Sequence, residues 1–179
     1  MYLKHNRIED EFLWLKAAGV AIPTYHVNEP VVPLTISVER KTLKLFGNDV
    51  GLLMSQLLDA GIREKLLDGE KEINYGSPYE NAAAQELVAH GFGDELYYFN
   101  SKTHGEVDFL VELNGEVLPI EIKSGKSKES QIYDRAALNN LIKLHDYPAA
   151  YVFGETNVVK ENDAVCQLPI YMIDLIRRS

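Results

Sequence analysis

The composition of this 179-residue chain is that of a globular protein, with 46% hydrophobic and 25% charged residues. Its formal net charge of −9 gives nucleic acid no overall attraction, so phosphate binding needs a local basic patch or a metal ion. The single cysteine, Cys166, excludes an internal disulfide and predicts a reducing, cytoplasmic environment. No apolar run reaches membrane-spanning length, and the first residues carry no signal-peptide pattern.

The first predicted region covers residues 1–75 and mixes short helices with β-like stretches. Apolar residues recur at helical spacing over residues 7–18, and Gly19 is a natural stop. The elements that follow are strands at Val20–Val27, Leu34–Val38 and Lys41–Phe46, a helix at Val50–Asp59 capped by Asn48-Asp49, and a helical piece at Ile62–Leu67. This order suggests a partial winged-helix-like α+β region that begins partway through its own unit.

The second predicted region, residues 76–179, has the pattern of an α/β layer with a mixed sheet. Its first helix opens at Ser77, with proline next and Glu80 three residues after the cap, as in a capping box. The elements after it are strands at Glu95–Phe99, Val107–Leu113 and Glu116–Lys123 (the last two joined by an Asn114-Gly115 turn), a helix at Glu129–His145, a strand at Ala149–Phe153 and a strand or helical turn at Leu168–Ile176. The predicted order is α-β-β-β-α-β.

A pair of strands between Glu106 and Lys126 brings ionisable side chains together on an otherwise apolar sheet. Asp108 lies on the first strand, and Glu121 and Lys123 lie on the second. Because strand side chains alternate between faces, Glu121 and Lys123 point the same way. Such a cluster costs stability unless a cation, most often a divalent metal ion, balances it. A salt bridge to Lys123 could satisfy one carboxylate but not obviously both, which favours a functional site.

The arrangement of Val107-Asp108, Glu121-Ile122-Lys123 and a helical Glu80 resembles the PD-(D/E)XK nuclease superfamily, whose core has the same α-β-β-β-α-β order. More narrowly, the chain is similar to the C-terminal nuclease-like domain of a family of prokaryotic AAA-type ATPases of unknown function. The similar stretches are K-L-F-G-N-D-V-G-L-L (44–53), Y-E-N-A-A-A-Q-E-L (79–87), L-Y-Y-F-N (96–100), G-E-V-D-F (105–109) and P-I-E-I-K-S-G (119–125). In that family an ATPase and a winged helix precede the domain. This chain carries no ATPase motif.

The resemblance implies a Mg²⁺- or Mn²⁺-dependent phosphodiesterase that acts on nucleic acid. Asp108 and Glu121 would coordinate the metal ion, and Glu80 would reach it directly or through water. Lys123 would orient the attacking water and stabilise charge on the phosphate. Val107 stands where the motif's name expects proline, a change that affects only the turn.

Alternatives remain open for several of these residues. The capping box alone would explain Glu80. Lys126 and Lys128 form a small basic loop beside the site, which fits either nucleic-acid contact or simple exposure. His104 lies near Asp108 in the chain and could be a metal ligand or a general base, but its position in a predicted loop favours a solvated histidine. The alternative function is a non-catalytic module that binds nucleic acid or protein and is coupled to an ATPase, and a third is an interaction domain with a vestigial cluster.

Overall fold

A computed structural model of the chain describes residues 12–58, 76–93, 96–124, 136–155 and 164–178, together with residues 62, 64, 65, 68, 157, 159 and 160. The helices are α1 (12–17), α2 (Val50–Leu57), α3 (Gly76–Leu87) and α4 (Ala136–His145). The strands are β1 (Ala21–Val27), β2 (Val38–Gly47), β3 (Tyr97–Ser101), β4 (Gly105–Leu113), β5 (Glu116–Lys123), β6 (Ala150–Gly154), β7 (Val159–Lys160) and β8 (Val165–Pro169). None of these helices is long and apolar enough to cross a membrane.

The described strands form one mixed sheet of eight strands in the order β2-β1-β3-β4-β5-β6-β8-β7. The pairs β2–β1, β3–β4, β4–β5 and β8–β7 are antiparallel, whereas β1–β3, β5–β6 and β6–β8 are parallel. In the chain, α3 precedes β3, β4 and β5, and α4 lies between β5 and β6. The predicted α/β class, its mixed sheet and its element order are therefore confirmed.

Each face of the sheet has an apolar core of its own, covered by a different helix. The core beneath α3 includes Ala83, Ala84, Leu87, Phe109, Ile120 and Ile122. The core beneath α4 includes Val107, Leu110, Leu138, Leu141 and Val152. Because Ile120 and Ile122 pack towards α3, the alternation along β5 turns Glu121 and Lys123 to the opposite face, as predicted.

Within the described residues of the first region, the structure corrects one predicted strand; parts of the predicted helices at residues 7–18 and Ile62–Leu67 lie outside them. Strands β1 and β2 are confirmed, and Asp49 caps α2 by accepting a hydrogen bond of 2.9 Å from the Leu52 N–H. The predicted strand at Leu34–Val38 is wrong, because Leu34–Ser37 is a 3₁₀ turn that follows Pro33. Two hydrogen bonds satisfy polar groups of this turn: the Leu34 N–H donates to the Glu112 side chain, and the Ser37 hydroxyl donates to the Glu29 carbonyl at 2.6 Å.

Residues of the first region join the sheet of the second. Strand β1 pairs with β3, so β1 and β2 continue the sheet that β3 to β8 form. Asn81 of α3, only 2% exposed, accepts from the Gly47 N–H at 2.7 Å and donates to the Gly47 carbonyl at 2.9 Å, which ties α3 to the end of β2. The predicted boundary between residues 75 and 76 adjoins residues 69–75, which lie outside the described part, and stays a prediction.

The predicted elements of the second region need three corrections. Helix α3 begins at Gly76, so Ser77 lies inside its first turn and does not cap it. The segment Leu168–Ile176 divides at Pro169 into the end of β8 and a 3₁₀ turn over Ile170–Leu175. Strand β7, two residues long, was not predicted. The Asn114-Gly115 turn is confirmed by positive φ angles of 54° and 81°, whereas residues 129–135 of the predicted long helix lie outside the described part.

Candidate functional site

The site lies where two central strands separate. The pairing of β4 with β5 runs from Leu113 opposite Glu116 as far as Phe109 opposite Ile120. Two residues further along β5, the Ile122 N–H donates to the Asp108 side chain, at 2.8 Å from Oδ2. Strand β5 continues beside β6 to its last residue. The Asp108 carboxylate therefore takes the place of a backbone hydrogen bond between β4 and β5. This bond fixes the position of the carboxylate against β5.

Glu121 and Lys123 form a close ion pair on the same face of β5. Lys123 Nζ donates to Glu121 Oε1 at 2.6 Å, and the Glu121 side chain is almost fully buried. The second oxygen of this carboxylate, Oε2, is buried and has no hydrogen-bond partner among the described residues. A buried oxygen without a partner costs free energy unless a proton or a cation supplies one.

A second lysine, Lys44 of β2, reaches the same cluster. Its Nζ contacts Glu106 Oε1 and lies 3.7 Å from Asp108 Oδ1 and 3.8 Å from Glu80 Oε2. The same ammonium stands 5.1 Å from the centre of the Tyr98 ring. Sequence reasoning missed Lys44 because the contact joins residues at least 36 positions apart and no local motif marks it.

Glu80 belongs to this cluster and not to a helix cap. It lies in α3, and its carboxylate faces Lys44. Because the helix starts earlier than predicted, the capping-box explanation for Glu80 does not apply. The structure therefore brings the four predicted residues of the cluster together, namely Glu80, Asp108, Glu121 and Lys123.

The pKa values of the three buried or half-buried acids are raised. Burial, and then the charge of Asp108, raises the pKa of Glu121 to about 8. Burial also raises the pKa of Asp108, against the Ile122 N–H bond and the charges of Lys44 and Lys123. The pKa of Glu80 is raised by burial and by Asp108. These shifts mean that burial disfavours the charged form of each acid more than the neighbouring lysines favour it.

The pKa of Lys44 is raised as well. Burial alone would lower it, but the hydrogen bond to Glu106 and the charges of Asp108, Glu106 and Glu80 together outweigh burial. Lys44 is therefore held in its charged form.

Four residues of the cluster, Glu106, Asp108, Glu121 and Lys123, form one wall of an open cavity of about 480 Å³. The cavity is lined by Thr103, His104, Gly105, Glu106, Asp108, Glu121, Lys123, Ala136, Ala137 and Asn140. Gly105, with φ of +85°, lets the β3–β4 turn approach α4, because a Cβ there would stand 2.8 Å from Ala137 Cβ. His104, predicted to be a loop residue, lines this wall and is half-buried.

The donor atoms suit a divalent cation. Mg²⁺ and Mn²⁺ prefer carboxylate oxygens, with water or phosphate in the remaining positions. Asp108 and Glu121 provide carboxylates that are nearly buried, beside a cavity that water and a phosphate could enter. The observation that fits such an ion best is Glu121 Oε2, which is buried and has no hydrogen-bond partner within the described ranges.

Lys126 and Lys128 are outside the described residues. Glu112, which shares a strand with Asp108, accepts from the Leu34 N–H and does not extend the cluster.

A separate group of Glu86, His90 and Asp174 was not predicted, and its ligand atoms lie within 4.8 Å of one another. Arg177 already holds both oxygens of Asp174 at 2.7 Å, and Asp174 Oδ1 lies 3.0 Å from His90 Nε2. A metal ion on Nε2 would leave a proton on the buried Nδ1, which has no partner among the described residues. In this group Asp174 is therefore already engaged by Arg177 and His90.

The fold and the site together define an α/β protein with a helix on each face of a mixed sheet and an acid–lysine cluster where its central strands part. The chain belongs to the family described as a domain of unknown function (DUF4143), whose profile matches residues 75–173. That match includes α3, β3 to β6, α4 and β8, and all residues of the cluster except Lys44. No curated protein and no solved structure matches the chain.

Proposed function

We propose that this protein is a nuclease-like domain of the PD-(D/E)XK type that hydrolyses phosphodiester bonds of nucleic acid with Mg²⁺ or Mn²⁺. The observation that carries the proposal is the pair of nearly buried carboxylates, Asp108 and Glu121, beside an open cavity. In the part of the chain that the structure describes, Glu121 Oε2 has no hydrogen-bond partner. Such a pair is expensive to keep for stability alone, which supports a role in binding a cation.

The position of each residue in the site suggests its role. Asp108 and Glu121 would hold the ion, and Glu80 is the candidate for a further contact, directly or through water. The bound ion would lower the pKa of a water molecule and polarise the phosphate. Lys123, held by Glu121 at the cavity wall, would orient the attacking water and stabilise charge on a phosphate oxygen. Lys126 and Lys128 remain candidates for backbone contacts with nucleic acid.

The wider setting is also a proposal. We infer a restriction-endonuclease-like core in residues 76–179 and a partial winged-helix-like region in residues 1–75. Both would belong to the C-terminal part of a prokaryotic AAA-type ATPase, with the ATPase region as a partner and the cytoplasm as the compartment. The resemblance of residues 44–53 and 79–125 to that family supports this setting.

Metal binding tests the first step. Isothermal titration of Mn²⁺ should show binding by the wild type and a loss of at least tenfold in affinity for Asp108→Asn, because the substitution removes a charged ligand without changing its shape. Glu116→Gln, an exposed change on the same strand as Glu121, is the matched control and should bind as the wild type does. Equal affinity in Asp108→Asn would exclude the site.

Cleavage tests the second step. With Mn²⁺ present, the wild type should cut single- or double-stranded DNA or RNA, and Lys123→Met should cut at least one hundred times more slowly while it still binds Mn²⁺. Lys143→Met, an exposed change on α4, should keep full activity. Equal rates for wild type and Lys123→Met would point to a contaminating nuclease.

The alternative is a non-catalytic module that binds nucleic acid or protein and is coupled to an ATPase. The net charge of −9 favours it, as does the engagement of both Lys44 and Lys123 by carboxylates, because neither feature attracts phosphate. This alternative predicts Mn²⁺ binding or partner binding without any cleavage that depends on Lys123.

A further inference from the structure

Lys44 reaches the site from a strand near one edge of the sheet. It lies on β2, three strands away from β4 in the sheet order, and its side chain still reaches the carboxylates of Asp108, Glu106 and Glu80. These three contacts lie on one flank of Asp108. On the other flank, where β5 runs, lie Glu121 and Lys123. Glu121 Oε2 has no hydrogen-bond partner among the residues that the structure describes.

We propose that Lys44 occupies one of two cation positions beside Asp108, so that the site takes a single divalent metal ion, on the side of Glu121. This inference rests on the metal site of the proposed function and specifies how many ions that site holds. It makes Lys44 a positioning residue, which acts on the metal ligands and not on the substrate.

The charge of the cluster supports the binding of one divalent metal ion. In the described part of the chain the cluster contains the carboxylates of Glu80, Glu106, Asp108 and Glu121 and the ammonium groups of Lys44 and Lys123. When all four carboxylates are ionised, the two lysines leave two negative charges, which one divalent ion neutralises. A second ion would have to enter beside the half-buried ammonium of Lys44, and like charges a few ångströms apart in a protein repel each other strongly.

The contacts around Lys44 keep it in this position. Glu106, its closest partner, is itself held by the Asn100 side chain, which donates to Glu106 Oε2 at 2.8 Å. The Tyr98 ring lies beneath the ammonium, and the Lys44 side chain is 23% exposed. An ammonium held by these contacts occupies the cation position beside Asp108, whereas a lysine that pointed into solvent would leave that position to a metal ion.

Counting bound Mn²⁺ tests the proposal. We expect one ion per chain in the wild type and in Lys44→Arg, which keeps the charge, and two ions in Lys44→Met and Lys44→Gln, which vacate the position. Lys41→Met, an exposed change on the same strand, is the matched control and should bind one ion. Calorimetric titration gives the number, and electron paramagnetic resonance adds an independent signature, because two neighbouring Mn²⁺ ions broaden each other's spectrum.

The outcomes separate this inference from the proposed function. Two ions in the wild type, or one ion in every folded neutral variant of Lys44, would overturn the inference and leave the metal site standing. No Mn²⁺ binding by any of the proteins would instead remove the proposed metal site. Circular dichroism and thermal melts identify any variant that fails to fold, and the use of two neutral side chains keeps at least one comparison available.

Discussion

At the scale of single residues, Glu121 carries a cost that depends on pH. Burial and the charge of Asp108 raise its pKa from an ordinary 4.5 to about 8. The folded protein therefore keeps a proton on this carboxylate in a pH range where the unfolded chain has lost it. The corresponding stability is fully present below about pH 4.5 and is lost progressively as the pH rises through about 8. Asp108 and Glu80 are shifted in the same direction.

Glu121→Gln should remove most of this dependence. The amide keeps an acceptor for Lys123 and has no proton to lose, so the metal-free variant should be more stable than the wild type by about 1–3 kcal/mol at pH 9, with a smaller difference at pH 5. Urea unfolding at several pH values measures the difference. Glu116→Gln should follow the wild-type curve. A difference for Glu121→Gln that stays constant with pH would show that this carboxylate keeps its ordinary pKa.

At the scale of elements, the site depends on how β5 lies between β4 and β6. On one side, the ladder to β4 ends and the Asp108 carboxylate takes the Ile122 N–H. On the other side, β6 comes so close that a Cβ on Gly154 would stand 2.7 Å from the Lys123 carbonyl oxygen. Gly154 pairs with Lys123 in the register. The absence of a side chain at residue 154 thus lets the end of β5 stay in the sheet and carry Lys123 to the cavity.

Gly154→Ala should disturb this end of β5. The clash is with backbone, which cannot rotate away, so we expect a loss of about 1–3 kcal/mol in the free energy of unfolding together with weaker Mn²⁺ binding. Gly47→Ala on β2 is the matched control, because the nearest atom to its added Cβ lies at 3.7 Å, an ordinary contact. Denaturant unfolding and Mn²⁺ titration measure both effects. If the two alanine variants behave alike, the close approach at Gly154 does not support the site.

At the scale of the whole molecule, local patterns predict much of the second region. Alternation along β5, the Asn114-Gly115 turn and the change to helical spacing in α4 each depend on neighbours in the chain, so they can be found without the fold. The same alternation places Glu121 and Lys123 on one face, and the β4–β5 hairpin brings Asp108 to them. Three of the cluster residues could therefore be predicted from a single hairpin.

The features that sequence reasoning missed depend on contacts that are distant in the chain. Lys44 reaches the cluster only because β2 and β1 extend the sheet beside β3, an order that no local pattern reveals. The 3₁₀ turn at Leu34–Ser37 is stabilised by a hydrogen bond to Glu112, 78 residues further along the chain. Because no local pattern reveals that bond, the apolar residues of the segment predict a strand instead. Strand β7 is too short, at two residues, for any periodicity.

Metal binding should connect the site to the stability of the whole protein. An ion that binds only the folded chain raises its stability by about 2.7 kcal/mol at one hundred times the dissociation constant, which is a rise of roughly 5–10 °C in Tm for a domain of this size. Mn²⁺ should produce this rise in the wild type and Glu116→Gln, and a much smaller one in Asp108→Asn. Because protons compete with the ion for Glu121, whose pKa is raised to about 8, the rise at a fixed Mn²⁺ concentration should be larger at pH 8.5 than at pH 6. A rise that is equal in Asp108→Asn, or independent of pH, would place Mn²⁺ outside the cluster.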